Sequence, residues 1–502
     1  MVFWGFVMTS IAMAGAETVR RQTGEDLVDF YVADQLKKQN IPGLSLAVVR
    51  SGRIIKASGY GLAHIELNVP ATPETVYQLA SVTKPFTASA IMLLVGEGKV
   101  QLADPIAKYW EIAPPAWNNI TVRHLLAMTT GIRDYLLNQP ANEHSDVKYN
   151  FERMLGLVSN LPLDFQPGEK YSYSNSNFIL LAMIIEKVTG KSYDAFLAER
   201  VFGPLGMTAT RRDNPDDVIS NRAGLYDWRD NKFNNAPFLN PTLWNNGDGG
   251  VLSTVIDLAK WDAALYGNTI LSAIDPRIEK ATAKKSKQQD IFRSVCLFSC
   301  ARINNMRETM WTPGRLNNGK TPSYGLGWQT GLLRGHRWVG HSGGRPGTAA
   351  NIKRFLDDEL TVIVLANACG KAADISLHIA GMYIPNLTLS SIKEGADPEP
   401  ELTQRLKECL FDLAEKRDSV LIQPLFRKEL NKTDEPMADL QKRLKNLKSF
   451  TFVTTENPLS SNLDNATVRS CSYKLTSGDD VRFYTFELTA DNRVAWCHSV
   501  SD

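Results

Sequence analysis

Hydrophobic and polar positions follow two different periods along the first three quarters of the chain. Residues 24–40 carry apolar positions at helical spacing, which is typical of an amphipathic helix. The segment LSLAVVRSGRIIKASGYG contains two β-rich runs around Ser51-Gly52, and this pattern predicts a β-hairpin. A second hairpin is predicted in NIKRFLDDELTVIVLANA, where Asp357-Asp358 separates two strand-like runs.

Helical patterns dominate the chain between these strands. Residues 80–265 show mostly helical patterns joined by Pro- and Gly-rich segments, and strand-like patterns return over residues 325–368. Strands near both ends with helices between them predict one antiparallel sheet, built from both parts of the chain, with a helical insertion covering one face. The expected fold class is therefore α/β, of the α+β type.

A polar, proline-containing segment precedes the C-terminal region. We predict a linker over residues 389–403 and a small α+β domain over residues 404–502, with a helix at 404–418. Cys471 and Cys497 lie in neighbouring strand-like segments and could pair, although sequence alone does not settle the pairing. No chemistry is assigned to this domain. Its predicted strands are FTFVTT, TVRSCSYKL, VRFYTFELT and RVAWCHSV.

Two segments do not fit the pattern of a folded domain. Residues 1–16 are mostly apolar and end in the small residues AGA, so we predict a signal peptide and a secreted or periplasmic protein. The run is too short for a comfortable membrane span, and a mispredicted start or a short buried segment is the alternative. Residues 281–310 have a basic start, two cysteines and no clear period. They form an atypical insertion in the predicted first domain, residues 17–388.

Composition narrows the classes of function. The 502 residues are 43% hydrophobic and 22% charged, as in ordinary globular proteins. The 56 basic and 54 acidic residues leave a net charge of +2, which gives no reason to expect a nucleic acid or an anionic membrane as partner. The seven histidines show no H-x-H or H-E-x-x-H spacing, so we expect no metal and no cofactor. His124 is interpreted as a packed helix residue.

Ser81 and Lys84 form the pattern S-x-x-K at the start of an apolar run. Residues three apart lie on one face of a helix, so Lys84 can reach the Ser81 oxygen, and a helix beginning at Ser81 directs backbone N–H groups toward it. Pro85 is tolerated because N–H groups of a first turn have no intrahelical partner. The pattern alone is weak, because Ser81 could simply cap the helix and Ser390 with Lys393 matches it too.

Tyr173-Ser174-Asn175 comes directly before another apolar helix. Tyr173 could relay a proton, but its ordinary pKa is about 10, so the nearby cation of Lys84 would have to lower that pKa for Tyr173 to act as a base. Asn175 would hold Lys84 and a substrate carbonyl by hydrogen bonds. A polar turn with a half-buried tyrosine is the alternative interpretation.

The segment GHSGG contains a G-x-S-x-G pattern, which marks the nucleophile elbow of α/β-hydrolases. An elbow needs a helix directly after its serine, whereas Arg345-Pro346-Gly347 follows Ser342. An α/β-hydrolase-type esterase with Ser342 as nucleophile is therefore only a minor alternative.

A strand accounts for the same segment better. HRWVGHSGG would be the edge of the sheet facing Ser81, where Gly343 lets a substrate approach the backbone closely. The N–H groups of Gly344 and Ser81 could form an oxyanion hole, and His341 would point into the site and donate a hydrogen bond.

Taken together, these three motifs resemble those of the serine β-lactamase-related family. The family pattern is S-x-x-K, then Y-x-N, then K-T-G or H-x-G, and the chain is most similar to the branch of class C β-lactamases, D-alanyl-D-alanine carboxypeptidases and esterases. The resemblance covers about residues 25–370 and implies a β-lactamase-like fold. It implies a covalent acyl-enzyme, in which Ser81 attacks a carbonyl, Lys84 with Tyr173 takes its proton, and Tyr173 assists water in releasing the acyl group.

His341 departs from the family pattern, because it stands where many members have lysine. A histidine is mostly neutral above a pKa of about 6.5, so carboxylate-bearing β-lactams should bind less well. We therefore expect weak β-lactamase activity and a small-molecule or peptide substrate with an ester, peptide or amide bond. The alternative is a non-catalytic binding or regulatory protein that retains the fold. The sequence leaves the oligomeric state open.

Overall fold

The architecture comes from a computed structural model, which describes most of the chain. The described residues are 27–110, 113–138, 151–214, 216–237, 247–266, 306–393, 395–415, 417, 419, 422, 437–456, 467–478 and 480–500. They form two compact units, one from residues up to 331 with 337–379, the other from 332–336 with 380–502. The predicted signal peptide and most of the atypical insertion lie outside the described residues. The last five residues of that insertion belong to a helix, residues 306–311.

The strands of the first unit are β1 (Gly43–Arg50), β2 (Arg53–His64), β3 (Val69–Pro70), β4 (Tyr77–Gln78), β5 (Arg211–Arg212), β6 (Tyr226–Arg229), β7 (Lys232–Asn235), β8 (Val251–Ser253), β9 (Gln329–Leu333), β10 (His336–Arg345), β11 (Thr348–Phe355) and β12 (Leu360–Ala366). Its helices are α1 (residues 27–38), α2 (Lys84–Gly96), α3 (Val122–Leu126), α4 (Phe151–Ser159), α5 (Ser176–Thr189), α6 (Tyr193–Leu197), α7 (Val255–Tyr266), α8 (residues 306–311) and α9 (Ala372–Tyr383).

One antiparallel sheet joins the two ends of the first unit, as predicted. Its strand order is β3-β2-β1-β12-β11-β10-β9, so the early hairpin pairs with the late one through β1 and β12. Both predicted hairpins are present. The buried helices α2 and α5 pack together in the main core, because nearly every side chain of their central turns is apolar. The predicted position of HRWVGHSGG at the sheet edge is wrong, since β9 is the edge strand and β10 lies one strand inside it.

The second unit has a four-stranded antiparallel sheet in the order β13 (Leu447–Glu456), β14 (Thr467–Ser477), β15 (Asp480–Thr489) and β16 (Val494–Val500). These are the four strands predicted from sequence. Two helices accompany the sheet, α10 (Pro400–Ala414) and α11 (Met437–Lys445). Helix α10 begins four residues before the predicted 404, because Pro400 fits a first helical turn. The predicted linker, 389–403, is therefore partly helical, and a 3-10 turn also occupies Leu389–Ser391.

The proposed pairing of Cys471 with Cys497 is wrong. Both residues lie opposite Phe486, Cys471 on β14 and Cys497 on β16, so the whole of β15 separates them. Adjacent strands are about 4.8 Å apart, and two such spacings exceed the reach of a disulfide. Both side chains are buried in the core of this unit.

Candidate active site

A strained turn presents Ser81 between strand β4 and helix α2. Residues Ala80–Thr83 form a 3-10 turn that continues into α2 at Lys84, with Pro85 in the first turn of the helix. Ala80 has a φ of 45°, in the left-handed region that alanine rarely adopts. The predicted start of the helix at Ser81 is therefore a tighter turn, which places Lys84 directly behind the serine.

Lys84 is completely buried, and its Nζ atom makes three hydrogen-bond contacts. The Ser81 Oγ atom lies at 2.9 Å, the Asn175 Oδ1 atom at 2.8 Å and the backbone oxygen of Asp248 at 2.8 Å. A neutral amine would give its two N–H groups to the last two oxygens and turn its lone pair toward Ser81. Burial lowers the pKa of Lys84, which favours that neutral form.

Asn175 owes its orientation to an acid that sequence reasoning missed. Its Nδ2 atom donates to Asp134 Oδ2 at 2.8 Å, and its backbone N–H donates to the same oxygen at 3.1 Å. The amide oxygen must therefore face Lys84, as predicted for this residue. Asp134 lies in GIRDYLLN, forty-one positions earlier, and no local pattern links it to the Y-x-N motif.

Tyr173 lies beside Lys84, but its electrostatics differ from the prediction. The Lys84 Nζ atom is 4.9 Å from the centre of the Tyr173 ring. Although 37% of Tyr173 is exposed, desolvation of the phenol raises its pKa, a hydrogen bond with Ser81 opposes this, and the charges of Asp248 and Asp134 raise it further. The expected lowering of this pKa is therefore wrong. The phenol keeps its proton near neutral pH, so Tyr173 is suited to donating a proton and Lys84 is the better base.

His341 is fully buried, and both of its ring nitrogens have partners. Nδ1 lies 2.7 Å from the backbone oxygen of Ser342, so it must carry the proton, and Nε2 then accepts from the Tyr324 hydroxyl at 3.0 Å. Burial and the charge of Lys84 lower the pKa of His341 to about 3. The prediction that His341 donates a hydrogen bond into the site is wrong, because its single N–H is used by the strand itself. Tyr324, in PSYGLGW, was not predicted as a site residue.

Gly343 lets strand β10 pass close to the backbone around Ser81. A Cβ atom at this position would lie 2.1 Å from the backbone oxygen of Leu79 and 3.1 Å from the Ser81 nitrogen. The next residue, Gly344, is exposed, and a Cβ there would meet only the Thr348 oxygen at 4.0 Å. The oxyanion hole formed by the N–H groups of Ser81 and Gly344 stays a prediction.

Gly343→Ala is expected to separate β10 from the turn that carries Ser81. The added methyl group meets backbone atoms, which cannot change rotamer to make room for it as a side chain could. We expect kcat/KM for an ester to fall about 10²- to 10³-fold, the usual cost of a lost oxyanion donor. Gly156→Ala, an exposed position on α4 where a Cβ atom meets nothing within 4 Å, serves as the control. Equal kinetics for the two variants would contradict this account of Gly343.

Ser342 is not a nucleophile elbow. It lies inside strand β10, its Oγ atom accepts a hydrogen bond from Asn351 Nδ2 at 3.0 Å, and a turn to β11 follows rather than a helix. His378, one of the two histidines after Ser342, stacks on Tyr31 with ring centres 4.0 Å apart. The α/β-hydrolase alternative is therefore wrong. His124 has a capping role, because its Nδ1 atom accepts from the backbone N–H of Thr121 at 3.2 Å.

Comparison with known proteins assigns the fold and the family. A family model for β-lactamase matches residues 28–379. The chain belongs to the β-lactamase family. Among its relatives, penicillin-binding protein 4* of Bacillus subtilis is 32% identical over 346 residues, which cover 66% of this chain and 69% of that protein. Protein flp of Staphylococcus aureus is 30% identical over 239 residues, and the match spans 47% of each chain.

Two solved structures share this fold at lower sequence identity. An octameric penicillin-binding protein homologue from Pyrococcus abyssi is 22% identical with a TM-score of 0.58, covering 93% of this chain and 96% of its own. A penicillin-binding protein from Bacillus halodurans is also 22% identical, with a TM-score of 0.55, covering 70% and 98%. The fold similarity to the Pyrococcus protein therefore extends beyond residue 379 into the C-terminal unit.

The part of the chain that the structure describes shows neither a metal-binding cluster nor a membrane-spanning helix. Among those residues no group of three or more His, Cys, Asp and Glu side chains is arranged to hold a metal ion. None of the described helices combines the length and the apolar character needed to cross a membrane.

Proposed function

We propose that this chain is a serine hydrolase that forms an acyl-enzyme on Ser81. The observation that carries the proposal is the 2.9 Å contact between Lys84 Nζ and Ser81 Oγ, with the two other contacts of Nζ fixed by Asn175 and Asp248. When the two N–H groups of neutral Lys84 bond the oxygens of Asn175 and Asp248, the lone pair of Nζ points toward the Ser81 Oγ atom. Membership of a family of serine hydrolases supports the same chemistry.

Neutral Lys84 takes the Ser81 proton as the serine oxygen bonds to the substrate carbonyl carbon. The carbonyl oxygen becomes an oxyanion, which the N–H groups of Ser81 and Gly344 would bind. When the tetrahedral intermediate collapses, the leaving group takes a proton from the phenol of Tyr173, which regains one from Lys84. Water then attacks the acyl-enzyme, with the proton passing back along the same pair of side chains, and Ser81 is restored.

We further propose that the substrate carries no carboxylate next to the reacting bond. In K-T-G relatives a cation stands where this chain has His341, whereas His341 is neutral and its only N–H is held by the Ser342 carbonyl. A substrate carboxylate bound beside His341 would lose its hydration without gaining a charged partner, and this desolvation costs free energy. Neutral esters and amides are therefore the preferred class, and β-lactams with a carboxylate should turn over weakly.

A matched pair of substrates tests this specificity. We expect kcat/KM for phenyl acetate to exceed that for 3-carboxyphenyl acetate, whose carboxylate lies on the leaving group, by about tenfold or more, a difference of about 1.4 kcal/mol. His341→Lys places a cation at this position, so it should bring the ratio of the two kcat/KM values closer to one. Equal turnover of the two esters, or efficient hydrolysis of a cephalosporin, would contradict the proposed substrate class.

A further inference from the structure

Asp248 is a buried acid directly behind the proposed base. Only 4% of the residue is exposed, and its backbone oxygen accepts the hydrogen bond from Lys84. The Tyr135 hydroxyl donates to the Oδ2 atom at 2.9 Å, whereas Oδ1 is buried without a hydrogen-bond partner among the described residues. A buried carboxyl oxygen left unpaired is costly, so this side chain calls for an explanation beyond packing.

The charges around Asp248 connect it to Lys84. Burial lowers the pKa of Lys84, and the charges of Asp248 and, to a smaller extent, Asp134 oppose this by raising it. Burial raises the pKa of Asp248, and the charge of Lys84 opposes this by lowering it. The titratable or charged groups that face this pair from other elements are Asp134, Tyr135, Tyr173, Tyr193, His341 and Arg345.

We propose that Asp248 is a positioning residue that sets the proton affinity of Lys84, and thereby the pH at which Ser81 becomes a nucleophile. This inference rests on the proposed function, in which neutral Lys84 is the base. Asp248 acts through its field rather than by contact, because Lys84 touches its backbone oxygen and the carboxyl group turns to Tyr135. Arg345 also lies near this acid and contacts Gln78 at 2.7 Å and Asp213 at 3.5 Å, but a guanidinium keeps its charge over the whole pH range of the test.

The sign of the effect follows from the charge of Asp248. A carboxylate stabilises the ammonium form of Lys84, so its removal makes Lys84 release its proton at a lower pH. Asp248→Asn keeps the shape of the side chain and removes the charge. The acid limb of the reaction, where protonation of Lys84 stops the attack by Ser81, should then move to lower pH by about one unit or more. A purely structural defect would lower the maximal rate in the pH profile and leave the midpoint of the acid limb unchanged.

The test measures how fast a fluorophosphonate probe labels the full-length protein between pH 4 and pH 9. We expect Asp248→Asn to have its acid limb about one unit lower, so that at acid pH it labels about tenfold faster than the parent protein, each relative to its own plateau. Tyr193→Phe is the matched control. It removes a buried hydroxyl that contacts Thr87, whose own hydroxyl bonds the Gly247 backbone, without changing a charge, and its limb should coincide with that of the parent.

A second variant covers the case in which Asp248→Asn does not fold. Tyr135→Phe removes the hydrogen bond that favours the carboxylate, so the limb should move in the same direction by a smaller amount. A limb that stays in place, or moves to higher pH, in a folded variant would overturn the role of Asp248. Failure of every protein to be labelled at any pH would instead overturn the proposed function, and the role of Asp248 with it.

Discussion

Ser81→Ala is expected to lower kcat for an activated ester by at least about 10⁴-fold, because the residue supplies the oxygen that forms the acyl-enzyme. The loss should appear as the absence of both the burst and the steady-state release of p-nitrophenol. The variant should remain folded, because the serine lies on a turn whose backbone is held by neighbouring elements, and thermal unfolding monitors this.

The chain contains its own control for this prediction. Ser390 and Lys393 repeat the S-x-x-K spacing in the C-terminal unit, where Ser390 lies in a 3-10 turn and contacts Thr388 Oγ1 at 3.2 Å. Ser390→Ala should hydrolyse the ester at the parental rate. If Ser390→Ala and Ser81→Ala lost activity equally, the assignment based on the surroundings of Ser81 would be wrong.

Lys84→Met is expected to lower kcat by about 10²- to 10⁴-fold, the range for loss of a positioned general base. Methionine fills similar volume but provides no lone pair for the Ser81 proton. The same change leaves the Asp248 charge without its cation, so the unfolding temperature should also fall and the rate must be measured well below it.

Lys353→Met is the control for the loss of a lysine whose pKa is lowered. Burial lowers the pKa of Lys353 to about 8, as it lowers the pKa of Lys84, but its Nζ atom lies 4.4 Å from the centre of the Trp338 ring instead of beside a serine. Its kcat should stay within a few-fold of the parental value. A Lys84→Met variant that kept a tenth of the parental activity would exclude Lys84 as the base.

Local patterns predicted those parts of the site that depend on local geometry. Ser81 and Lys84 are three residues apart on one turn, so the contact between them follows from the backbone alone. The two hairpins and the four C-terminal strands were also predictable, because alternation and turn residues act over a few positions. The family pattern then placed Asn175 and His341 near Ser81 in a way that spacing could not.

The remaining features depend on contacts between distant segments. The separation of Cys471 from Cys497 could be seen only from the strand order. Alternation of apolar and polar residues predicts which face of a strand is buried, but it does not predict which strands are neighbours. The state of His341 required its partner Tyr324, seventeen residues away, and the roles of Asp134 and Asp248 required the packing of their loops around Lys84. Desolvation raises the pKa of Tyr173 instead of lowering it, and a sequence motif gives no measure of desolvation.

The most direct test of the central claim is to locate the adduct of a fluorophosphonate probe on the purified protein by peptide mass spectrometry. The account predicts a single adduct on Ser81, lost in Ser81→Ala and retained in Ser342→Ala. An adduct on Ser342 would contradict it and restore the nucleophile-elbow hypothesis. A folded protein that forms no adduct would also contradict it, and would favour a binding protein that keeps the β-lactamase fold without its chemistry.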